Sequence, residues 1–240
     1  MSLPIQSLPI IFENDVLIAI NKPHGLLVHR TRLAPEATAF ALQILRDQIG
    51  QPVWPAHRLD RKTSGVLLFA KTKAGDSELQ QLFQNRKVTK VYKAIVRGWL
   101  EESGTIDYAL TSEEKTKEAT THYKRLEQFE IDLPFGQHAT SRYSLVELHP
   151  ETGRFHQLRK HMAHIHHPIL GDRPHGCNKQ NRLWKEEFGM VCMMLHAARL
   201  ELEHGGEKFV MEAGISGEFE RVLCVMRGGD PPRPCPFKGE

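Results

Sequence analysis

His57-Arg58-Leu59-Asp60-Arg61-Lys62-Thr63-Ser64-Gly65 runs without a break into Val66-Leu67-Leu68-Phe69-Ala70. A polar, basic turn thus feeds an apolar run of strand length, which anchors the loop on a sheet and holds Asp60 at its rim. Loops set on a rigid strand are where chemistry is commonly placed. Taken alone, an Asp ahead of Ser and Gly is most simply a side chain satisfying backbone donors in a turn. Its meaning depends on the rest of the chain.

Outward from this stretch, strand patterns dominate. Val16 to Ile20 reads as a strand ending in the Pro23-His24-Gly25 turn, and alternation over Val88–Val96, Thr121–Phe129, Arg142–Leu148 and Leu195–Leu202 predicts further strands. Helices are fewer. Thr38 caps one through Gln48, with Phe40, Ala41, Ile44 and Leu45 on one face and Gly50 as the stop; another runs from about Ser77 to Asn85. Apolar spacing over Phe155–Ile165 and the Phe219–Arg227 segment predict two more. Glu113–Glu118 and the polar Asp172–Glu187 read as loops. Helices do not alternate regularly with strands, which argues against a doubly wound parallel sheet and for an α+β fold with a mixed, mostly antiparallel sheet. Residues 1–228 are expected to form the folded domain and 229–240, with Pro231, Pro232 and Pro234, a loose tail.

The 240 residues are 40% hydrophobic, enough for a sizeable core. A net charge of +3 permits a polyanionic partner without the density of a nucleic-acid tail. Cys177, Cys192, Cys224 and Cys235 form no C-x-x-C pair and no dense disulfide pattern. With no signal-peptide pattern and no apolar run near the roughly 20 residues that span a bilayer, a cytoplasmic protein without a membrane partner is expected.

Two further segments complete a pattern. Lys90-Val91-Tyr92-Lys93-Ala94-Ile95-Val96-Arg97-Gly98 follows the Asp60 stretch, and Thr152-Gly153-Arg154-Phe155-His156-Gln157-Leu158-Arg159-Lys160-His161 follows that, with His167-Pro168-Ile169-Leu170-Gly171-Asp172 beyond it. In this order, with an early Asn21-Lys22-Pro23-x-Gly25 turn, they resemble the pseudouridine synthases of the ribosomal large-subunit type, over about Val16 to Leu202. Features outside the shared core, among them Arg97-Gly98-Trp99-Leu100 and Met194-Leu195-His196-Ala197, are similar to the tRNA-acting branch. The resemblance implies the same α+β architecture and tRNA as partner, at uridine 65 of the T stem, with ribosomal RNA as the alternative substrate. The small N-terminal S4-type RNA-binding domain of many relatives is not expected, because the catalytic pattern starts within the first twenty residues. Phe155 departs from the pattern, where a polar residue is usual; this bears on local RNA contacts and not on the nucleophile.

Making pseudouridine breaks the bond from ribose C1′ to base N1, turns the base, and joins C1′ to C5. No atoms are gained or lost, so no redox cofactor is required, and the sequence shows neither a dinucleotide fingerprint nor a phosphate loop. The reaction needs an ionised carboxylate near C1′ or its 2′-hydrogen, and Asp60 fits. A cation in the pocket keeps such a carboxylate ionised beside RNA phosphates. Arg159 of the third motif is the candidate, sent by the helical spacing to the margin of a buried face. By resemblance Tyr92 lines the active site, where its ring would stack on the uracil; read from the strand alone, it is a core aromatic sharing a face with Ala94 and Val96. Motif position gives Arg58 the contact where the target nucleotide leaves the stack. Arg61, Lys62, Lys90, Arg154, His156 and Lys160 form basic groups around the three motifs and point to a phosphate-binding cleft.

The histidine run His156, His161, His164, His166, His167 raises a metal site, with His161 and His164 one helical turn apart. No H-E-x-x-H pattern or Cys pair completes a tetrahedral set, so phosphate contact or packing is the expected role and no metal is assigned. A catalytically silent RNA-binding module and a metal hydrolase are the rival classes.

Overall fold

A computed structural model describes residues 6–30, 36–112, 115–215 and 217–230. In chain order the elements begin with β1 (Ile10–Glu13), β2 (Leu17–Lys22), α1 (Ala41–Ile49), β3 (Trp54–Pro55), β4 (Ser64–Ala70), α2 (Lys73–Gln84) and β5 (Val88–Arg97). Next come β6 (Ser103–Asp107), β7 (Leu110–Ser112), β8 (Lys115–Lys117), β9 (Thr120–Ile131) and β10 (Ser141–Pro150). The last are α3 (Gln157–His164), α4 (Asn178–Phe188), β11 (Leu195–His204), β12 (Glu207–Glu212) and α5 (Gly217–Met226). The chain divides into two compact units, Met1–Lys90 with Ala197–Ile215, and Val91–His196 with Ser216–Glu240. No helix among the described residues is long and apolar enough to cross a membrane.

In the first unit the strands run β1-β2-β4-β11, with β3 on β4 and β12 on β11. All seven residues of β4 are buried, so the apolar run of the opening motif is covered on both faces. Register with β2 sets Ile18 opposite Phe69, Ile20 opposite Leu67 and Lys22 opposite Gly65. Leu17, Ala19, Val66, Leu68 and Ala70 meet Leu79, Val88, Leu200, Leu202 and Met211 in one core. Helix α2 begins four residues before the expected Ser77, because the Thr72 hydroxyl accepts the Gly75 N–H at 3.0 Å and starts the turn there. Helix α1 stops at left-handed Gly50, as expected, but starts after Phe40 instead of at Thr38. Its first amides, Ala41 and Leu42, donate to Leu27 and Val28 carbonyls at 2.8 and 3.0 Å, so no side-chain cap is needed.

In the second unit β5-β10-β9-β6 pair in that order, antiparallel throughout. Tyr92 and Tyr123 both face Leu148 of the central β10. Leu158 and Met162 of α3 close the core over Ala94, Val96, Val146 and Leu148. Both units therefore give the expected α+β class with a mostly antiparallel sheet.

Two expected loops are corrected. Within Asp172–Glu187 lies α4, a polar helix whose buried residues are Gln180 and Trp184, one turn apart. It is fastened from outside its own sequence: the Tyr143 hydroxyl on β10 accepts from Gln180 Nε2 and Trp184 Nε1, each at 2.7 Å. Within Glu113–Glu118, Lys115–Lys117 is strand β8, paired to β7; Glu113 and Glu114 lie outside the described residues. So does the expected tail from residue 231 onward.

Candidate active site

Asp60 ends the loop that enters β4, half-buried, and its carbonyl accepts the Thr63 N–H at 3.0 Å to close a turn with Arg61 and Lys62 at the tip. Thr63 and Ser64 are buried beneath it. Gly65 is required one residue later: its φ is +109°, and a Cβ there would lie 2.1 Å from the Ala197 carbonyl oxygen. The loop is tied to the Asn21–Gly25 turn by Gly25 N–H donating to Arg61 O at 2.8 Å and Arg61 Nε donating to Gly25 O at 3.0 Å. Arg58 is exposed beside it.

Beneath this tie sits a residue to which sequence reasoning gave no role. Lys22 is 0% exposed, and its ammonium donates to the carbonyls of Leu26 at 2.8 Å, Pro23 at 2.9 Å and Arg61 at 3.3 Å. Its clue in the sequence was position, since it continues the face of Ile18 and Ile20 at strand spacing. Burial lowers its pKa to about 7, with the Asp60 carboxylate acting in the opposite sense. The same loops hold His24 down to about 4, through burial first and then the charges of Lys22, Lys62 and Arg61.

This depression has a measurable sign. A lysine that titrates near 10.5 unfolded and about 7 folded binds more protons in the unfolded chain between those values, so native stability rises with pH across that window. Lys22→Met lacks this slope. The stability deficit of the variant should therefore widen from pH 7 to pH 10 in urea titrations; a deficit that stays flat would return Lys22 to an ordinary lysine pKa.

His57 and Lys90 are adjuncts of the same unit. His57 stacks on Phe83, accepts the Leu68 N–H at 3.1 Å, and is pushed down to about 4 by burial and then by Lys90, so it serves as a neutral acceptor in the fold. Lys90 is half-buried and lowered to about 8 by burial and Arg86.

In the second unit the third motif forms the start of α3. Gln157, buried, is its hub: Oε1 accepts from Thr152 Oγ1 at 2.6 Å and Arg154 N at 3.0 Å, while Nε2 donates to Thr120 O and Thr121 Oγ1 at 3.0 Å each. Both ends of the amide are thereby used, which fixes the loop against β9. Arg159 lies deeper than the margin of the buried face to which the helical spacing assigned it. Its guanidinium is 5% exposed and forks onto Asp172, Nε to Oδ2 at 2.9 Å and Nη2 to Oδ1 at 2.7 Å, with Asp172 1% exposed. Gly171 makes the turn that delivers Asp172, and Asn181 of α4 brackets it, accepting from Gly171 N and donating to Asp172 O at 2.8 Å each. The helix missed in the sequence thus holds the partner of the candidate cation.

The other residues separate clearly. Tyr92 is half-buried against the core of Ala94, Val96 and Leu148. Arg154 Nε donates to Glu118 O at 3.1 Å and Lys160 Nζ to Thr111 O at 3.3 Å. His161 is buried between Thr121 Oγ1 and Tyr108 O, whereas His164 stacks on the Tyr108 ring at 3.7 Å and His167 bonds Arg97 O. These three histidines pack; His156 instead pairs with His175 at 2.9 Å.

Residues 16–164 match the family model described as RNA pseudouridylate synthase. A tRNA pseudouridine synthase C from Vibrio parahaemolyticus is 44% identical over 230 residues, covering 90% of this chain and 94% of that protein. Its namesake from Haemophilus ducreyi is 48% identical over 208 residues, covering 82% and 86%. Among solved structures, human RNA pseudouridylate synthase domain containing 1 superposes with a TM-score of 0.71 at 25% identity, covering 95% of this chain and 97% of that one. The ordered motifs, the antiparallel sheets that carry them and these likenesses agree: the chain belongs to the RNA pseudouridylate synthase family and is an RNA-acting isomerase.

Proposed function

We propose that the protein converts a uridine of tRNA, uridine 65 of the T stem, to pseudouridine, with Asp60 as the catalytic carboxylate. The observation that carries the chemistry is the placement of Asp60: a half-buried carboxylate at the mouth of a fully buried strand, on a loop clamped through backbone carbonyls by a buried lysine. A nucleophile or base must be held within a few tenths of an ångström of its target, and a clamp of this kind supplies that. The tRNA substrate is supported by the names of the relatives, and the cytoplasm follows as the place where that substrate is met.

The remaining roles rest on motif position and on what the reaction needs. Asp60 acts at the ribose as N1 leaves C1′; the detached uracil turns and C5 joins C1′; the C5 proton is then lost while N1 takes up a proton, so the product has the atoms of uridine. Tyr92 holds the uracil by stacking, a contact worth roughly 1–3 kcal/mol per base in single-strand sites. Arg159 supplies the positive charge of the pocket. Because a base inside a stem cannot present both C1′ and C5 to one pocket, the nucleotide is extruded, with Arg58 supporting the displaced strand. Arg61, Lys62, Lys90, Arg154, His156 and Lys160 neutralise phosphates.

A site-resolved pseudouridine map of total RNA from cells with and without the protein tests the assignment. Loss of one T-stem position is the expected result. Loss confined to ribosomal RNA moves the substrate to the alternative, and an unchanged map overturns both.

A further inference from the structure

We propose that the exposed ring pair Tyr108–His164 is a stacking site for an unpaired nucleobase of the substrate RNA, an inference that rests on the RNA-modifying role proposed above. Tyr108 lies in the two-residue link between β6 and β7 and is 45% exposed; His164 is exposed in the last turn of α3. Their rings are nearly parallel, centroids 3.7 Å apart and planes 16° from each other. Neither ring makes another ring contact or a hydrogen bond among the described residues, so the pair is spent neither on the core nor on a polar network. Trp99, of similar exposure, differs in this respect: Arg142 already stands over it at 3.9 Å, and its Nε1 donates to Phe129 O.

The link is nevertheless rigidly held. Gln157, His161 and His164 share one face of α3 at i, i+4 and i+7, and that face fastens Tyr108. A carbonyl can only accept, so His161 Nε2 donates to Tyr108 O at 3.0 Å. Burial lowers the His161 pKa and keeps the ring neutral, which leaves Nδ1 to accept from Thr121 Oγ1 at 2.9 Å. Thr121 Oγ1 in turn accepts from Gln157 Nε2 at 3.0 Å, and on the other side the Tyr108 N–H donates to Ala119 O at 3.1 Å. The main chain under the ring is thus fixed at both ends and the ring itself is backed by His164. A ligand that covers it meets a surface already ordered, which favours binding.

The surroundings select the ligand. Lys160, one turn before His164, donates to Thr111 O at 3.3 Å, and Arg154 Nε donates to Glu118 O at 3.1 Å, next to the Ala119 carbonyl that holds Tyr108. Neither cation has a carboxylate partner among the described residues. An aromatic surface with uncompensated cations beside it suits a base, whose ring stacks while its phosphates meet the ammonium and guanidinium groups. A base inside a stem is already covered by its neighbours, so the site takes an unpaired one from a loop or an end. An apolar protein partner would instead seek a larger patch free of such charges.

Binding of a T-stem-loop RNA, measured as Kd at several salt concentrations, tests the site on the full chain. Tyr108→Ala should weaken binding roughly ten-fold with an unchanged salt slope, because stacking releases no counterions. Tyr108→Phe should keep wild-type affinity, since the ring alone stacks, and Lys160→Ala should flatten the slope by about one unit. Tyr108→Leu keeps an apolar side chain on the link and should bind as weakly as Tyr108→Ala, which separates stacking from packing. Single abasic substitutions in the RNA should reveal one position that costs the wild type but not Tyr108→Ala. The site is overturned if Tyr108→Ala binds within about two-fold of wild type, if Tyr108→Leu matches wild type, or if no abasic position couples to the ring; pseudouridine formation by those same proteins would leave the isomerase role standing. Wild-type protein that binds with Tyr108-dependent affinity yet forms no pseudouridine would overturn the isomerase role on this RNA and leave the stacking site standing, and failure of the wild type to bind this RNA would overturn both.

Discussion

Asp60→Asn is expected to lower the single-turnover rate of pseudouridine formation by about 10³-fold or more while the Kd for RNA stays within about two-fold. The substitution keeps size and shape and removes only the ionised carboxylate. The loop should survive it, since Lys22 grips main-chain carbonyls of Pro23, Leu26 and Arg61, which the substitution leaves in place. One side effect has a known direction: without the Asp60 charge, burial of Lys22 is less opposed and its pKa falls further. Tritium release from C5-labelled uridine measures the rate. Appreciable turnover by the folded variant would remove Asp60 from the mechanism.

Arg159→Met should destabilise the protein by about 3–5 kcal/mol, because it strands the Asp172 charge at a site that is 1% exposed. Stability and catalysis can be separated. In Arg159→Met/Asp172→Leu neither charge remains, and apolar replacement of a buried pair is commonly neutral, so the double variant should recover most of the lost stability. It should not recover turnover if Arg159 supplies charge to the pocket. Melting temperature and single-turnover rate on both variants decide the matter: a double variant that regains both would make the arginine a purely structural residue. Arg159→Lys is not a conservative control, since an ammonium cannot reproduce the two-pronged geometry.

How much of this was legible in the chain depended on whether a residue's neighbours were near in sequence. β4, β5, β9, β10 and β11 follow from local alternation and apolar runs, and the end of α1 at Gly50 follows from one left-handed glycine. Helix α4 has no such signature. Its buried face is two residues wide and its fastening, Tyr143, lies 37 and 41 positions from the residues it holds. Arg159 shows the same limit at shorter range: helical spacing gives its angle around α3, but its depth is set by Asp172, which a glycine turn and a second helix bring under it. Lys22 was visible as a lysine on an apolar strand face, yet its burial is tolerable only because loops from two places supply three carbonyls. The motifs marked candidate chemical groups; their supports are long-range and were not readable.

The interruption of the first unit also matters while the protein is being made. β4 has β11 beside it in the finished unit, and the approach is so close that Gly65 admits no Cβ against Ala197, yet more than a hundred residues separate the two strands. At ribosomal rates of about 5–20 residues per second, the Ser64–Leu67 part of that edge waits roughly 6 to 25 s uncovered, whereas β3 pairs with Phe69 and Ala70 on the same side. An open edge of this composition is a template for pairing with other nascent chains, so yield from a polysome should depend on how far apart those chains are and on holdase capacity. The strand beneath the Asp60 loop thus stays open along part of one edge until β11 is made.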